Sequence, residues 1–129
     1  MPQRNQNSDR GGSLLSSHAV IATDLKGTIT FWNSGAEALY GWKSEEVLGR
    51  NILDVTPSNL SRDDAAAIMA KLVRGETWSG EFEVRKRDGT VFRAYITDSP
   101  TYNADGELSG VVGSSVDVRS LANPDPGGR

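Results

Sequence analysis

The stretch TFWNSGAEALYGW, Thr30 to Trp42, changes period inside one short run. It starts as an alternating β-branched and aromatic strand, passes through Asn33-Ser34-Gly35, and then reads as two helical turns that stop at Gly41. The switch is encoded locally. Ser34 with Glu37 three residues later is a capping box, Ala36, Leu39 and Tyr40 form a short apolar stripe, and Gly41 supplies a left-handed stop. Successive side chains on a strand diverge, so one of Phe31 and Trp32 must point inward and the other outward.

Before this stretch, Ala19 to Thr23 and Thr28 to Trp32 are two short strands joined by Asp24-Leu25-Lys26-Gly27, a hairpin with a glycine turn. After it, Ser44 with Glu45 and Glu46 reads as a further single turn, its acidic pair at the positive end of the helix dipole. Ser61 with Asp64 opens the longest helix, to Arg74, whose apolar positions Ala65, Ile68, Met69, Leu72 and Val73 follow helical spacing before Gly75. Trp78 to Lys86, Val91 to Tyr102 and Leu108 to Val118 then form a meander, divided by the turn signals Asp88-Gly89 and Asp105-Gly106. In its strands Trp78, Phe82 and Val84 share one face, Phe92, Ala94 and Ile96 another, and Val112, Ser114, Val116 and Val118 a third. One core requires the hairpin and the meander to pair. The reading is an α+β fold: a five-stranded antiparallel sheet with short helices and one longer helix on one face.

Composition excludes several classes of function. A chain of 129 residues with 36% apolar and 24% charged residues suits one globular domain. Residues 1–13 read as a disordered segment, 14–121 as the folded domain and 122–129 as a flexible tail, because both ends are polar and carry Gly or Pro. With no cysteine, disulfides, zinc-thiolate sites, thiol nucleophiles and cysteinyl photoadducts are excluded. A net charge of -3 argues against nucleic acid as a partner, and Arg85-Lys86-Arg87, the sole basic run, reads as a solvated hairpin arm. No apolar run approaches the roughly 20 residues of a membrane span, and the start of the chain lacks the apolar centre of a signal peptide, so a cytoplasmic location is the default. The only histidine, His18, precedes the first strand, which leaves no metal pair and no triad. Glu45-Glu46 and Asp63-Asp64 fall in first helical turns, where carboxylates serve the dipole. Gly110-Val111-Val112-Gly113 lies in a strand without a lysine, so a close backbone approach or a bulge explains its glycines better than a phosphate loop does. No enzyme is expected.

Two long stretches, AVIATDLKGTITFWNSGAEALYGWKSEEVLG from Ala19 and RKRDGTVFRAYITDSPTYNADGELSGVVGSSVDVRS from Arg85, resemble a PAS domain of the kind found in bacterial sensor kinases and two-component regulators. No single motif carries the likeness; the order and spacing of turns and caps over Leu14 to Arg119 do. The resemblance implies that Asn33 ties the first corner through backbone hydrogen bonds and that Asp117 closes the last strand as a signalling position. It also implies a sensor that holds a small, mostly apolar or aromatic organic molecule between the long helix and the sheet. Ile68 and Leu72 would touch it from the helix, Trp78, Phe82, Phe92 and Ile96 from the meander, and Val112 from the last strand, with Ser114 as polar anchor. The scaffold hosts flavin, haem, organic acids or nothing, so the cofactor stays unknown. The segment Gly49 to Leu53 reads GRNIL, which excludes a cysteinyl-flavin photoadduct, and Ser61 to Arg74 has no histidine to ligate haem. The alternative is a ligand-free homodimerisation module using Leu14 and Leu15 with Tyr95 and Val111. If the chain is a fragment, a kinase, cyclase or regulator domain is its downstream partner.

Overall fold

The computed structural model describes residues 18–122. The readings for 1–13, for the tail after Ala122, and for Leu14 and Leu15 lie outside the described residues. Strands β1 (Ala19–Asp24) and β2 (Ile29–Trp32) form the expected hairpin. Its turn is set by one side chain: Asp24 Oδ1 accepts from the amides of Lys26 and Thr28, each at 2.9 Å, and Gly27 takes φ +89°. Helices α1 (Ser34–Tyr40), α2 (Ser44–Val47), α3 (Ile52–Val55) and α4 (Arg62–Val73) follow. Strands β3 (Trp78–Arg85), β4 (Val91–Tyr102) and β5 (Leu108–Asp117) make the meander, and α5 (Val118–Ala122) leaves the last strand. The sheet order is β2-β1-β5-β4-β3, every pair antiparallel, so β1 and β5 join hairpin and meander into one layer.

The caps differ from the sequence reading in two respects. Asn33, not Ser34, caps α1: its Oδ1 accepts from Ala36 N at 2.8 Å. The same oxygen accepts from Val20 N at 2.8 Å, and Nδ2 donates to His18 O at 3.1 Å. One amide side chain therefore clamps the start of β1 to the start of α1, the corner role expected of it. Glu37, freed from capping, accepts instead from Ser44 N at 2.8 Å and ties α1 to α2. Lys43 rather than Ser44 stands at the entry to α2, and its amide donates to Glu46 Oε1. Ser61 caps α4 as read, accepting from Asp64 N at 3.0 Å.

Trp32 is the inward member of the aromatic pair, buried at 4% exposure, and Phe31 is half exposed on the outer face. The Trp32 indole donates to Trp42 O at 2.9 Å, and the Arg50 and Arg87 guanidinium groups both lie over the Trp42 ring. The core gathers Ala19, Ile29, Trp32, Tyr40, Val47 and Val55 against Val84, Phe92, Ala94 and Ile96 of the meander. Asp117 ends β5 with its Oδ1 accepting from Arg119 N at 2.9 Å and Oδ2 from Arg119 Nη2 at 2.8 Å. The Arg119 hydrogen bond holds its carboxyl below the usual range. Asp117 thus caps the start of α5.

Candidate functional site

A cavity of about 340 Å³ opens between α4 and the sheet, at the lower end of the roughly 300–1,000 Å³ usual for small-molecule sites. Each wall follows from a pattern in the chain. Along α4, residues three and four apart share a face, so Ala65, Ile68, Met69 and Leu72 present one stripe to it. Phe82 and Val84 face it from β3, and Ile96 and Asp98 from β4, each pair two residues apart on the inward parity. Ile21 lies across from Gly113 on the β1–β5 ladder, and α3 supplies Ile52 and Leu53. The apolar character is broken by Asp98, the Tyr40–Ser115 pair, Thr23, Thr56 and Ser58, and at the β1–β2 turn by Asp24, Lys26 and Asn51.

Of the site residues read from the sequence, Ile68, Leu72, Phe82 and Ile96 line this cavity. Trp78 and Phe92 do not. Trp78 lies over Gly80, where a Cβ would strike its ring, with its centroid 6.0 Å from that of Phe82. Phe92 packs in the core against Tyr40, centroids 5.7 Å apart.

Val112 and Ser114 are on the wrong face of β5. They pair with Ser99 and Thr97 on the outer surface, while Val111, Gly113 and Ser115 face inward. The cause is a β-bulge. Tyr102 pairs with Leu108, but Thr101 pairs with Gly110, and this one-residue shift turns over every later side chain on β5. Without it Ser114 would stand opposite Ile96; with it Ser115 does. The inward hydroxyl on β5 is therefore that of Ser115, whose Oγ accepts from the Tyr40 hydroxyl at 3.0 Å. Val111, read as part of a dimer face, belongs to the cavity instead.

The sequence reading missed Asp98. It extends the inward series Phe92, Ala94, Ile96 by one more step of two, which was the available signal. Burial pushes its carboxyl up to about 6, and among the described residues no hydrogen-bond partner pulls it back. Its position depends on glycine: Gly113 is its cross-strand partner, and a Cβ there would overlap Asp98 Oδ1. Gly110 likewise lies where a Cβ would strike Thr23 O, the close backbone approach expected of that segment. Burial also raises the Tyr40 phenol to about 12. Among the described residues there is no group of three acidic or histidine side chains placed to hold a metal.

The family model described as the PAS fold matches residues 15–118. Phototropin-1A of Oryza sativa is 30% identical over 97 residues, covering 75% of this chain and 10% of its own. A blue-light photoreceptor of Listeria monocytogenes is 32% identical over 107 residues, covering 81% of this chain and 42% of its own. The chain thus spans less than half the length of either relative. The crystal structure of a PAS domain from Colwellia psychrerythraea superposes with a TM-score of 0.63 at 27% identity, covering 78% of this chain and 85% of that one. These likenesses correct the reading that left the cofactor unknown, since the relatives include a phototropin and a blue-light photoreceptor. The absence of cysteine remains compatible with excluding the cysteinyl adduct.

Proposed function

This chain belongs to the PAS family, and we propose that it is the sensory module of a signalling protein, binding a small aromatic or largely apolar molecule between α4 and the sheet. The observation that carries this reading is the apolar cavity and its position under the one long helix. Occupancy would be relayed through Asp117 and α5, or through a dimer contact, to an effector such as a kinase, cyclase or regulator domain.

The light-receptor relatives make flavin the first occupant to weigh against these residues. Its ring system matches the apolar walls from Leu72, Met69, Phe82 and Ile96. The remainder fits poorly. A flavin's pyrimidine edge is rich in acceptor oxygens and nitrogens, and an ionised Asp98 offers it only acceptors. A nucleotide phosphate would find one cation among the lining residues, Lys26, in the same turn as Asp24. The ring fits these walls and the nucleotide does not.

Mass spectrometry of the natively purified protein, with a thermal-shift screen of riboflavin, flavin mononucleotide, indoles and aromatic acids, tests the reading. A ligand at about 100 times its dissociation constant should add roughly 2.7 kcal/mol, a rise in melting temperature of about 10 °C or more for a domain of this size. Ala65→Trp, which places an indole into the cavity from the edge of α4, should remove that shift while the protein stays folded. A protein that carries no small molecule and responds to none of these compounds would refute ligand sensing.

One observation favours homodimerisation as a second reading. The outer sheet face exposes Phe31 at 50% and Tyr95 at 37%, on strands at opposite ends of the β2-β1-β5-β4 layer. Sedimentation velocity should show a dimer that Phe31→Asp converts to monomer; a monomeric parent chain at high micromolar concentration removes this reading.

A further inference from the structure

Asp98 has no structural task that explains it. It is a carboxylate on the inward face of β4 among apolar side chains, without a hydrogen-bond donor or a cation beside it in the described residues. The fold nevertheless makes room for it, since Gly113 across the ladder supplies the space its Oδ1 occupies. An unpartnered carboxylate largely withdrawn from water costs stability, and an aliphatic side chain there would pack without that cost. What the group does offer is a carboxylate acceptor lining the cavity, while the Tyr40 and Ser115 hydroxyls beside it on the inner wall are bonded to each other.

We propose that Asp98 selects the occupant, and that the cavity takes an aromatic or aliphatic body bearing a basic nitrogen, an arylalkylamine or amidine, whose cation sits against the Asp98 carboxylate. This rests on the reading that the cavity binds a ligand. The apolar walls from α4 and β3 lower the local polarity around the pair, which strengthens a charge-assisted hydrogen bond. They also leave an anionic ligand with a like charge and no cation deep in the site. Lys26, the one lining cation, lies in the β1–β2 turn with Asp24.

The other groups facing Asp98 define its titration. α4 lines the cavity with Ala65, Ile68, Met69 and Leu72, and β3 places Trp78 directly across the ladder from Asp98 with Phe82 further along; none of these is titratable. Val111, Gly113 and Ser115 face it from β5, and Asn51, Ile52, Leu53 and Thr56 from the region of α3. Tyr40 stays neutral in any ordinary buffer, which leaves Asp24 and Lys26 in the β1–β2 turn as the charged neighbours. Below pH 6 Asp98 takes up a proton and loses its hold on a cation.

Calorimetric titration of the intact chain with tryptamine, 3-ethylindole and indole-3-acetate separates the outcomes, because the three share one ring and differ in charge. Tryptamine should bind at least tenfold more tightly than either of the others at pH 7.5, and about tenfold more weakly at pH 5 than at pH 7.5. Asp98→Asn should erase the preference for tryptamine without weakening 3-ethylindole, and Gly113→Ala, which displaces the carboxylate, should reduce it. Equal binding of the three compounds, or an unchanged preference in Asp98→Asn, overturns this inference and leaves ligand sensing standing. Binding of riboflavin or of indole-3-acetate but not of tryptamine overturns it in the same way. Failure of all compounds to bind overturns ligand sensing, and this inference with it.

Discussion

Tyr40→Ala is expected to cost about 3 to 5 kcal/mol of folding stability, the range for removing a large side chain from a packed interior. Tyr40 is the last residue of α1 and is 2% exposed. Its ring touches both halves of the molecule: Trp32 of the hairpin on one side and Phe92 of the meander on the other, each with centroids 5.7 Å away. Its hydroxyl reaches Ser115 in the middle strand of the sheet. Few of these contacts can be remade by collapse, because the aromatic neighbours are fixed by strand backbones. Tyr40→Phe isolates the polar part. It keeps the ring and leaves the Ser115 hydroxyl, 5% exposed, without its donor, at a cost of about 1 kcal/mol. Urea unfolding of the three proteins measures both differences from midpoints at a common m-value. An alanine variant within about 1 kcal/mol of the parent would show that α1 is not pinned through this residue.

Which features were legible in the sequence follows from how far each signal reaches. The three glycine turns at Gly27, Gly89 and Gly106 all hold positive φ where they were read, because the requirement lies in the turn itself. Strand β4 runs from Val91 to Tyr102 as expected, and β3 and β5 each end one residue earlier than read. Pairing of β1 with β5 followed from needing one core, and it is present. The cap at Asn33 was displaced by one residue because Ser34 and Asn33 are both good caps, and only the partner Val20, far back in the chain, favours the asparagine. The site was less legible. Val112 and Ser114 looked inward because a regular hairpin from Asp105-Gly106 would place them so; a bulge between Thr101 and Tyr102 is not written in any turn signal. Valines on both faces of β5 hid the error. Trp78 and Phe92 were assigned the right face, but sharing a face does not say which residue lies beneath α4. That depends on where the helix crosses the sheet, a tertiary property.

Asp98 should make the parent chain less stable as pH rises from 4 to 7, by about 3 kcal/mol in total, and Asp98→Asn should remove that loss. The sign follows from proton binding. The unfolded carboxyl titrates near 3.8 and the folded one near 6, so between these values the native state holds the extra proton and stability falls with rising pH. A gap of about two units, at 1.36 kcal/mol each, gives the size. Asp24 and Asp117 act in the opposite sense. Hydrogen bonds hold both below the usual range, so their contribution is present above pH 4 and is lost on further acidification. They are common to parent and variant, and the difference between the two unfolding profiles isolates Asp98. That difference should be close to zero above pH 7 only if the carboxylate has found a partner in the folded protein; without one, the asparagine variant should be the more stable there. Parallel profiles from pH 4 to 7.5 would mean that Asp98 is solvated and that the cavity is open to water at its inner end. A bound cation changes the balance, because it favours the ionised form in the native state. Saturating tryptamine should therefore flatten the parent's slope and leave that of the variant unchanged, so the same carboxylate that destabilises the free fold at neutral pH couples its stability to the ligand.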